Sequence, residues 1–192
     1  RSPGLPEFDP FWARVQEAGV LVGMHSSDSG YADLVSIWEG PTEFLPFQPN
    51  PFRSLVMANR AITDMMNAMV CHGAFSRFPN LRIATIENGG TWVRPLVDGL
   101  ESIYKKMPQE FDEHPVEAFR RNVYVNPFWE DALEGLVDIM GPERLLFGSD
   151  YPHPEGLGDP VSFVDDLPES LSPEDTARIM GGNLRELLHL GS

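Results

Sequence analysis

Asp150 and His153 stand three residues apart in the run Leu145-Leu146-Phe147-Gly148-Ser149-Asp150-Tyr151-Pro152-His153-Pro154, where a short apolar segment breaks into a carboxylate, an imidazole and two prolines. That pattern reads as a buried strand handing a carboxylate to a loop. In α/β folds with parallel strands, ligands and catalytic groups gather at the carboxyl ends of the strands, so Asp150 stands where chemistry is expected. His25 follows Val22-Gly23-Met24 at a second junction of this kind. Neutral imidazole is the commonest metal ligand, and with Asp150 it offers nitrogen and carboxylate donors around an open position. A divalent metal site built on His25 and Asp150 is the leading reading. The bland alternatives are a packed histidine and a turn carboxylate that accepts backbone N–H bonds.

Glu87 and Asn88 precede Gly89-Gly90, a pair that permits a tight turn and close backbone approach. A carboxylate there can serve as a base or as a substrate anchor. His153 could bind a substrate carboxylate, orient Asp150 or simply be exposed. The candidate catalytic set is therefore Asp150, Glu87, His153 and Asn88. His72, His114 and His189 read as structural, and Cys71 as a packed thiol. The sequence contains no glycine-rich phosphate loop, no G-x-S-x-G elbow and no H-E-x-x-H.

Four β-rich segments must position these groups: Val20–His25, Leu81–Glu87, Asn122–Asn126 and Arg144–Ser149. Each ends in a polar residue, namely His25, Glu87 with Asn88, Asn126 and Asp150. Near-continuous apolar character suits strands covered on both faces. Between them, Phe52–Phe75, Trp92–Tyr104 and Glu130–Met140 repeat apolar residues at helical spacing, giving βα units in series. Ser172-Pro173-Glu174-Asp175 marks a helix start, Gly181-Gly182-Asn183 interrupts that helix, and Leu184–Leu190 resumes it beneath the sheet. Tyr31–Pro51, with its prolines and aromatics, reads as a long excursion of lid or interface type. Trp38, Phe44, Phe47 and Phe52 are its candidate pocket or packing aromatics.

With 42% hydrophobic residues in 192, the chain is an ordinary single domain with a sizeable core. Acidic residues exceed basic ones by 29 − 14 = 15, which argues against nucleic acid as a partner. No apolar run approaches the roughly 20 residues that span a bilayer, and no signal peptide is evident, so the expectation is a cytoplasmic protein without a membrane partner.

With these residues in hand, the chain resembles the C-terminal half of the amidohydrolase-related proteins of the aminocarboxymuconate-semialdehyde decarboxylase type, a metal-dependent TIM-barrel group. The carriers are VLVGMHS at 20–26, FPNLRIATIENGG at 78–90, PERLLFGSDYPHPEG at 142–156 and IMGGNLRELL at 179–188. The resemblance implies an α/β fold: half of a (β/α)8 barrel, strands five to eight, spanning 1–192 as one partial domain with the N-terminal half absent. It implies that His25 is the fifth-strand metal ligand and that Asp150 is the eighth-strand aspartate, which ligates the metal and helps activate its water. Zinc is the usual metal in that group. Better-understood members carry an acid/base histidine where this chain has Asn88, so that role is vacant or passes to Glu87. The ligand pair of the first strand has no counterpart here.

The expected function is a metal-dependent hydrolase or nonoxidative decarboxylase acting on a small carboxylated or aromatic substrate. A half barrel leaves two sheet edges unpaired, so the segment is expected to pair with a second copy or with its own N-terminal half. Alone, the fragment is expected to be inactive. The competing readings are an inactive half barrel serving as an interaction or scaffold unit, and a metal-free barrel glycosidase using Glu87 and Asp150.

Overall fold

The computed structural model describes residues 1–26, 30–41, 50–57, 59–153 and 156–190. Its centre is a parallel sheet of three strands in the order β1-β2-β3: β1 (Leu21–His25), β2 (Arg82–Ile86) and β3 (Val123–Val125). His25 pairs with Ile86 and Thr85 with Val125, so the three strands end at one level. Parallel pairing needs long crossovers, and helices supply them. In chain order the helices are α1 (Asp9–Ala18), α2 (Ala32–Glu39), α3 (Pro51–Met57), α4 (Arg60–Cys71), α5 (Ala74–Arg77), α6 (Val93–Lys106), α7 (Pro115–Asn122), α8 (Leu133–Met140), α9 (Pro173–Ala177) and α10 (Asn183–Leu187). None is long and apolar enough to cross a membrane.

Alternation along the strands divides the apolar residues between two faces. Val22, Met24, Ile83, Val123 and Val125 join the main core with Met66, Phe75, Trp92, Phe119 and Leu136 from the helices. Leu21, Ala84, Ile86 and Tyr124 face the other way and meet Leu146, Leu184 and Leu187. The C-terminal helix thus packs beneath the sheet, as its leucines suggest. It ends at Leu187, and Leu188 and Leu190 are exposed.

The fourth segment departs from expectation. Leu145 makes a lone parallel bridge with Val125, and Leu146 N–H donates to the Val125 carbonyl at 2.8 Å. The ladder stops there because the Asn126 side-chain amide takes the Leu146 carbonyl, and Phe147 N–H turns instead to the Ile179 carbonyl at 3.1 Å. An extended segment therefore stands where a strand is expected. Asn122 likewise ends α7 rather than opening a strand. Its buried amide donates to the Phe78 and Leu81 carbonyls at 3.0 and 2.7 Å. The Tyr31–Pro51 excursion is in part helical, since α2 occupies 32–39 with Val35 buried and Trp38 edge-on to Phe52. Phe44 and Phe47 lie outside the described residues. Cys71 is exposed rather than packed, although nearby protein mass pushes its thiol pKa up.

The start of α9 follows its sequence signal. Ser172 and Asp175 form a reciprocal capping box, with proline at the first helical position. Gly181, at φ 156°, marks the break that Gly181-Gly182 announces.

Arg121 grips Glu113 with two nitrogens, Nη2 lying 2.9 Å from Oε1, and also donates to the Phe75 carbonyl at 2.8 Å. The Arg121 guanidinium holds the Glu113 carboxyl below the usual range, against partial burial that raises it. A depressed carboxyl stabilises the fold above its unfolded value, near 4.3, and the contribution is lost as pH falls through the folded value. Glu113→Gln is expected to cost about 0.5–1 kcal/mol at pH 7 in urea unfolding, given partial solvent screening, and less at pH 3. An equal cost at both pH values overturns the assignment.

Candidate metal centre at the carboxyl ends of the strands

Each strand end delivers its polar group by a distinct local device. His25 closes β1. Its Nδ1 lies 2.5 Å from the Ser26 carbonyl, which can only accept, so Nδ1 carries the proton and Nε2 points outward. Nε2 lies 3.1 Å from Glu87 Oε2. Glu87 follows β2 with φ 52°, and Asp150 follows the Leu145 segment with φ 56°. A left-handed conformation in a non-glycine residue costs of order 1 kcal/mol and recurs where a fold aims a side chain at a site. Here two such residues turn their carboxylates into one space. His153 Nδ1 lies 3.0 Å from Asp150 Oδ1 and 4.0 Å from Glu87 Oε1. Glu87, Asp150 and His153 place one ligand atom each within 4.8 Å of one another.

The donor chemistry suits a cation. Two carboxylates converge, and His25 Nε2, its tautomer fixed from behind, faces one of them at hydrogen-bond distance. The Glu87 carboxylate and the His25 ring nitrogen can both offer lone pairs to a cation. The arrangement differs in one respect from the pair expected from sequence. Among the described residues, no hydrogen bond or ion pair joins His25 to Asp150 directly; Glu87 stands between them.

Asn88 does other work. Its Nδ2 donates to the Met24 carbonyl at 2.9 Å and to the Ile86 carbonyl at 2.7 Å, tying the ends of β1 and β2 together. Asn126 is the matching stitch between β3 and Leu146. His72 meets Ser2 Oγ at 2.7 Å, and His114 packs edge-on to Tyr104, both remote from this cluster in their contacts.

Sequence reasoning missed the groups that fix the loop behind Glu87. Asp131 Oδ2 accepts from the backbone N–H of Gly90 at 2.6 Å and of Phe128 at 2.8 Å. Burial holds its carboxyl above the usual range, while those two donors pull it down. Trp92 Nε1–H donates to the Gly89 carbonyl at 2.8 Å. The Gly89-Gly90 pair was the available signal. A Cβ on Gly90 would lie 2.7 Å from Leu136, and one on Gly89 2.7 Å from Phe128. Close approach is what the glycines permit.

Gly156 supports Asp150 in the same way. A Cβ there would lie 2.8 Å from the carbonyl oxygens of both Ser149 and Asp150. Backbone cannot yield as a flexible side chain does, so Gly156→Ala is expected to cost about 1–3 kcal/mol and to displace Asp150. Divalent-cation affinity, measured by competition with a metal-sensitive dye, is expected to fall at least tenfold. Unchanged affinity shows that the loop tolerates the methyl group.

Comparison with known proteins decides the family. The sequence model described as Amidohydrolase matches residues 1–190. The chain belongs to the amidohydrolase family. A crystal structure of an amidohydrolase from Mycobacterium avium subsp. paratuberculosis superposes with a TM-score of 0.88 at 42% identity, covering 100% of this chain and 47% of that one. A 2-amino-3-carboxymuconate-6-semialdehyde decarboxylase of Dictyostelium discoideum is 29% identical over 135 residues, which are 64% of this chain and 35% of the relative. A dihydroxybenzoic acid decarboxylase from Polaromonas sp. JS666, crystallised with manganese and the inhibitor 2-nitroresorcinol, shares the fold. Its TM-score is 0.66 at 18% identity, covering 98% of this chain and 55% of that one. This amidohydrolase chain thus spans about half or less of the length of these relatives.

Proposed function

We propose that this chain forms part of the active site of a metal-dependent amidohydrolase-family enzyme, a hydrolase or nonoxidative decarboxylase of a small carboxylated or aromatic substrate. The convergence of Glu87, Asp150 and His153, with His25 against Glu87, carries the reading. His25 and Asp150 are the proposed ligands of a divalent cation, zinc or manganese. Such a cation supplies Lewis-acid polarisation of a substrate oxygen and acidifies water.

In this reading Asp150 also holds the proton taken from water, and His153, at hydrogen-bond distance behind it, fixes its orientation. Glu87 is placed to move a proton to or from the reacting carbon or leaving group, the task left open by an amide at position 88. Asn88 keeps the ends of β1 and β2 at one level and so acts on position rather than chemistry. The decarboxylases among the relatives support a carboxylated substrate. The sheet and its Leu145 segment are read as strands five to eight of an eightfold barrel, completed by further chain or by a second copy, in a cytoplasmic enzyme. Neither the scaffold nor the glycosidase reading gains a specific observation.

The test is elemental analysis of the full-length protein after incubation with zinc or manganese and dialysis, followed by assay of carbon dioxide release from a panel of carboxylated aromatics. About one metal per chain and turnover of at least one acid are expected. A folded protein that retains neither metal overturns the reading.

A further inference from the structure

A second site lies at the opposite end of the sheet. Arg82 opens β2, Arg144 precedes Leu145, and Arg178 lies between α9 and α10. All three line one cavity of about 430 Å³, with Tyr124, Asn183 and His189. Other arginines of the fold are ion-paired, among them Arg77 with Asp9 at 2.8 Å and Arg121 with Glu113. Among the described residues, these three have no carboxylate oxygen within 4.0 Å, in a chain with 29 acidic residues against 14 basic ones. Three guanidinium groups share the cavity with two carboxylates, Glu143 and Glu186, neither of which lies within 4.0 Å of them, so a net positive charge is left for an anion to offset.

Their contacts are neutral and hold the guanidinium groups in place. Arg82 Nη1 donates to the Leu187 carbonyl at 3.3 Å, and its Nη2 lies 3.4 Å from His189 Nε2. Arg144 Nη1 donates to the Tyr124 hydroxyl at 2.5 Å while its guanidinium sits 4.8 Å from that ring's centre. Arg178 Nη1 donates to Asn183 Oδ1 at 3.4 Å, and the Asn183 amide is anchored in turn on the Pro142 and Leu145 carbonyls. Because the Tyr124 oxygen accepts from Arg144, its own proton remains for a ligand. Glu143 and Glu186 also line the cavity. The Glu143 carboxylate folds back over Gly141, where a Cβ would lie 2.5 Å from it. An adjoining cavity of about 460 Å³ shares Arg82, Arg144, Tyr124 and His189 and adds Arg121.

We propose that this cavity binds a small polyvalent oxyanion, a phosphate or a dicarboxylate, through Arg82, Arg144, Arg178 and the Tyr124 hydroxyl. Forked guanidinium donors match both chemistries. The site does not depend on the function proposed for the opposite end of the sheet.

The test is isothermal titration calorimetry of the full chain at low ionic strength with inorganic phosphate and, separately, succinate. Saturable binding of one or both is expected, with the stronger ligand identifying the source, and sodium chloride should weaken it. Arg178→Gln, which gives up one long neutral contact and keeps the fold by circular dichroism, is expected to weaken binding about tenfold, the usual worth of a charge-assisted hydrogen bond. Arg144→Gln should do the same, while Asp150→Asn should leave binding unchanged. Absence of saturable binding by either anion overturns the proposal, as does equal binding by Arg178→Gln and the unaltered protein.

Discussion

Asp150→Asn is expected to lower divalent-cation affinity by about a hundredfold or more and to remove turnover, while leaving the melting temperature unchanged or slightly raised. The two halves of that expectation have separate causes. Asparagine keeps the volume and one oxygen facing His153 Nδ1, now 3.0 Å away, but loses the negative charge. Loss of outer contacts to a metal ligand already costs 10–100-fold in affinity, so loss of the ligand's charge should cost at least as much. Stability should not fall, because Asp150 sits at φ 56°, a region that asparagine enters as readily as aspartate. Removing a carboxylate from beside Glu87 also relieves repulsion between like charges.

Asp150→Ala separates these effects. Alanine keeps the Cβ that makes the left-handed backbone costly but has no polar group to offset it, so it should lose the metal and about 1 kcal/mol of stability besides. Both variants are compared by elemental analysis and thermal melting. Retention of metal by Asp150→Asn sinks the assignment of Asp150 as ligand. A matching fall in melting temperature for both variants would instead make Asp150 a turn carboxylate, the bland reading its flanking prolines allow.

The site-bearing part of the chain was the most legible because its signals are local. Polar residues ending apolar runs placed His25, Glu87 and Asp150 at one edge of a parallel sheet, and the ladders of β1 and β2 run within a residue or so of the expected segments. What the sequence obscured depends on long-range contacts. Asn126 and Asn122 look like strand residues, but their amides serve backbone carbonyls 20 to 44 positions away and so shorten the ladders. The partners of Asp131 include an amide 41 positions off, which no spacing rule connects. Asn88 has a carboxylate for a neighbour, and its own side-chain donors go to the main chain, a pairing that only the register of β1 and β2 reveals. α1 is weakly marked because it buries only Trp12 and so carries no apolar stripe. Pro115 at the start of α7, with Glu117 in its first turn, was a readable cap.

Trp92→Ala is expected to have the largest effect on stability, a loss of about 4 kcal/mol. The indole is 2% exposed, stands edge-on to Phe119 with ring centres 5.9 Å apart, and belongs to the main core. Truncation removes that packing and leaves a cavity that the helices flanking the sheet can close only in part. In a domain of this size the melting temperature should fall by roughly 8–16 °C. Trp92→Phe distinguishes packing from positioning. It keeps an aromatic ring against Phe119 but removes the donor to the Gly89 carbonyl, so about 1–2 kcal/mol should be lost. The freed turn lies two residues after Glu87, and its other anchor is the Asp131 bond to Gly90 N–H. Faster hydrogen exchange at the Gly90 amide is therefore expected in Trp92→Phe, beyond what its loss of global stability accounts for, together with slower turnover through a displaced Glu87. Exchange that merely tracks global stability would make Trp92 a core residue with no hold on the site.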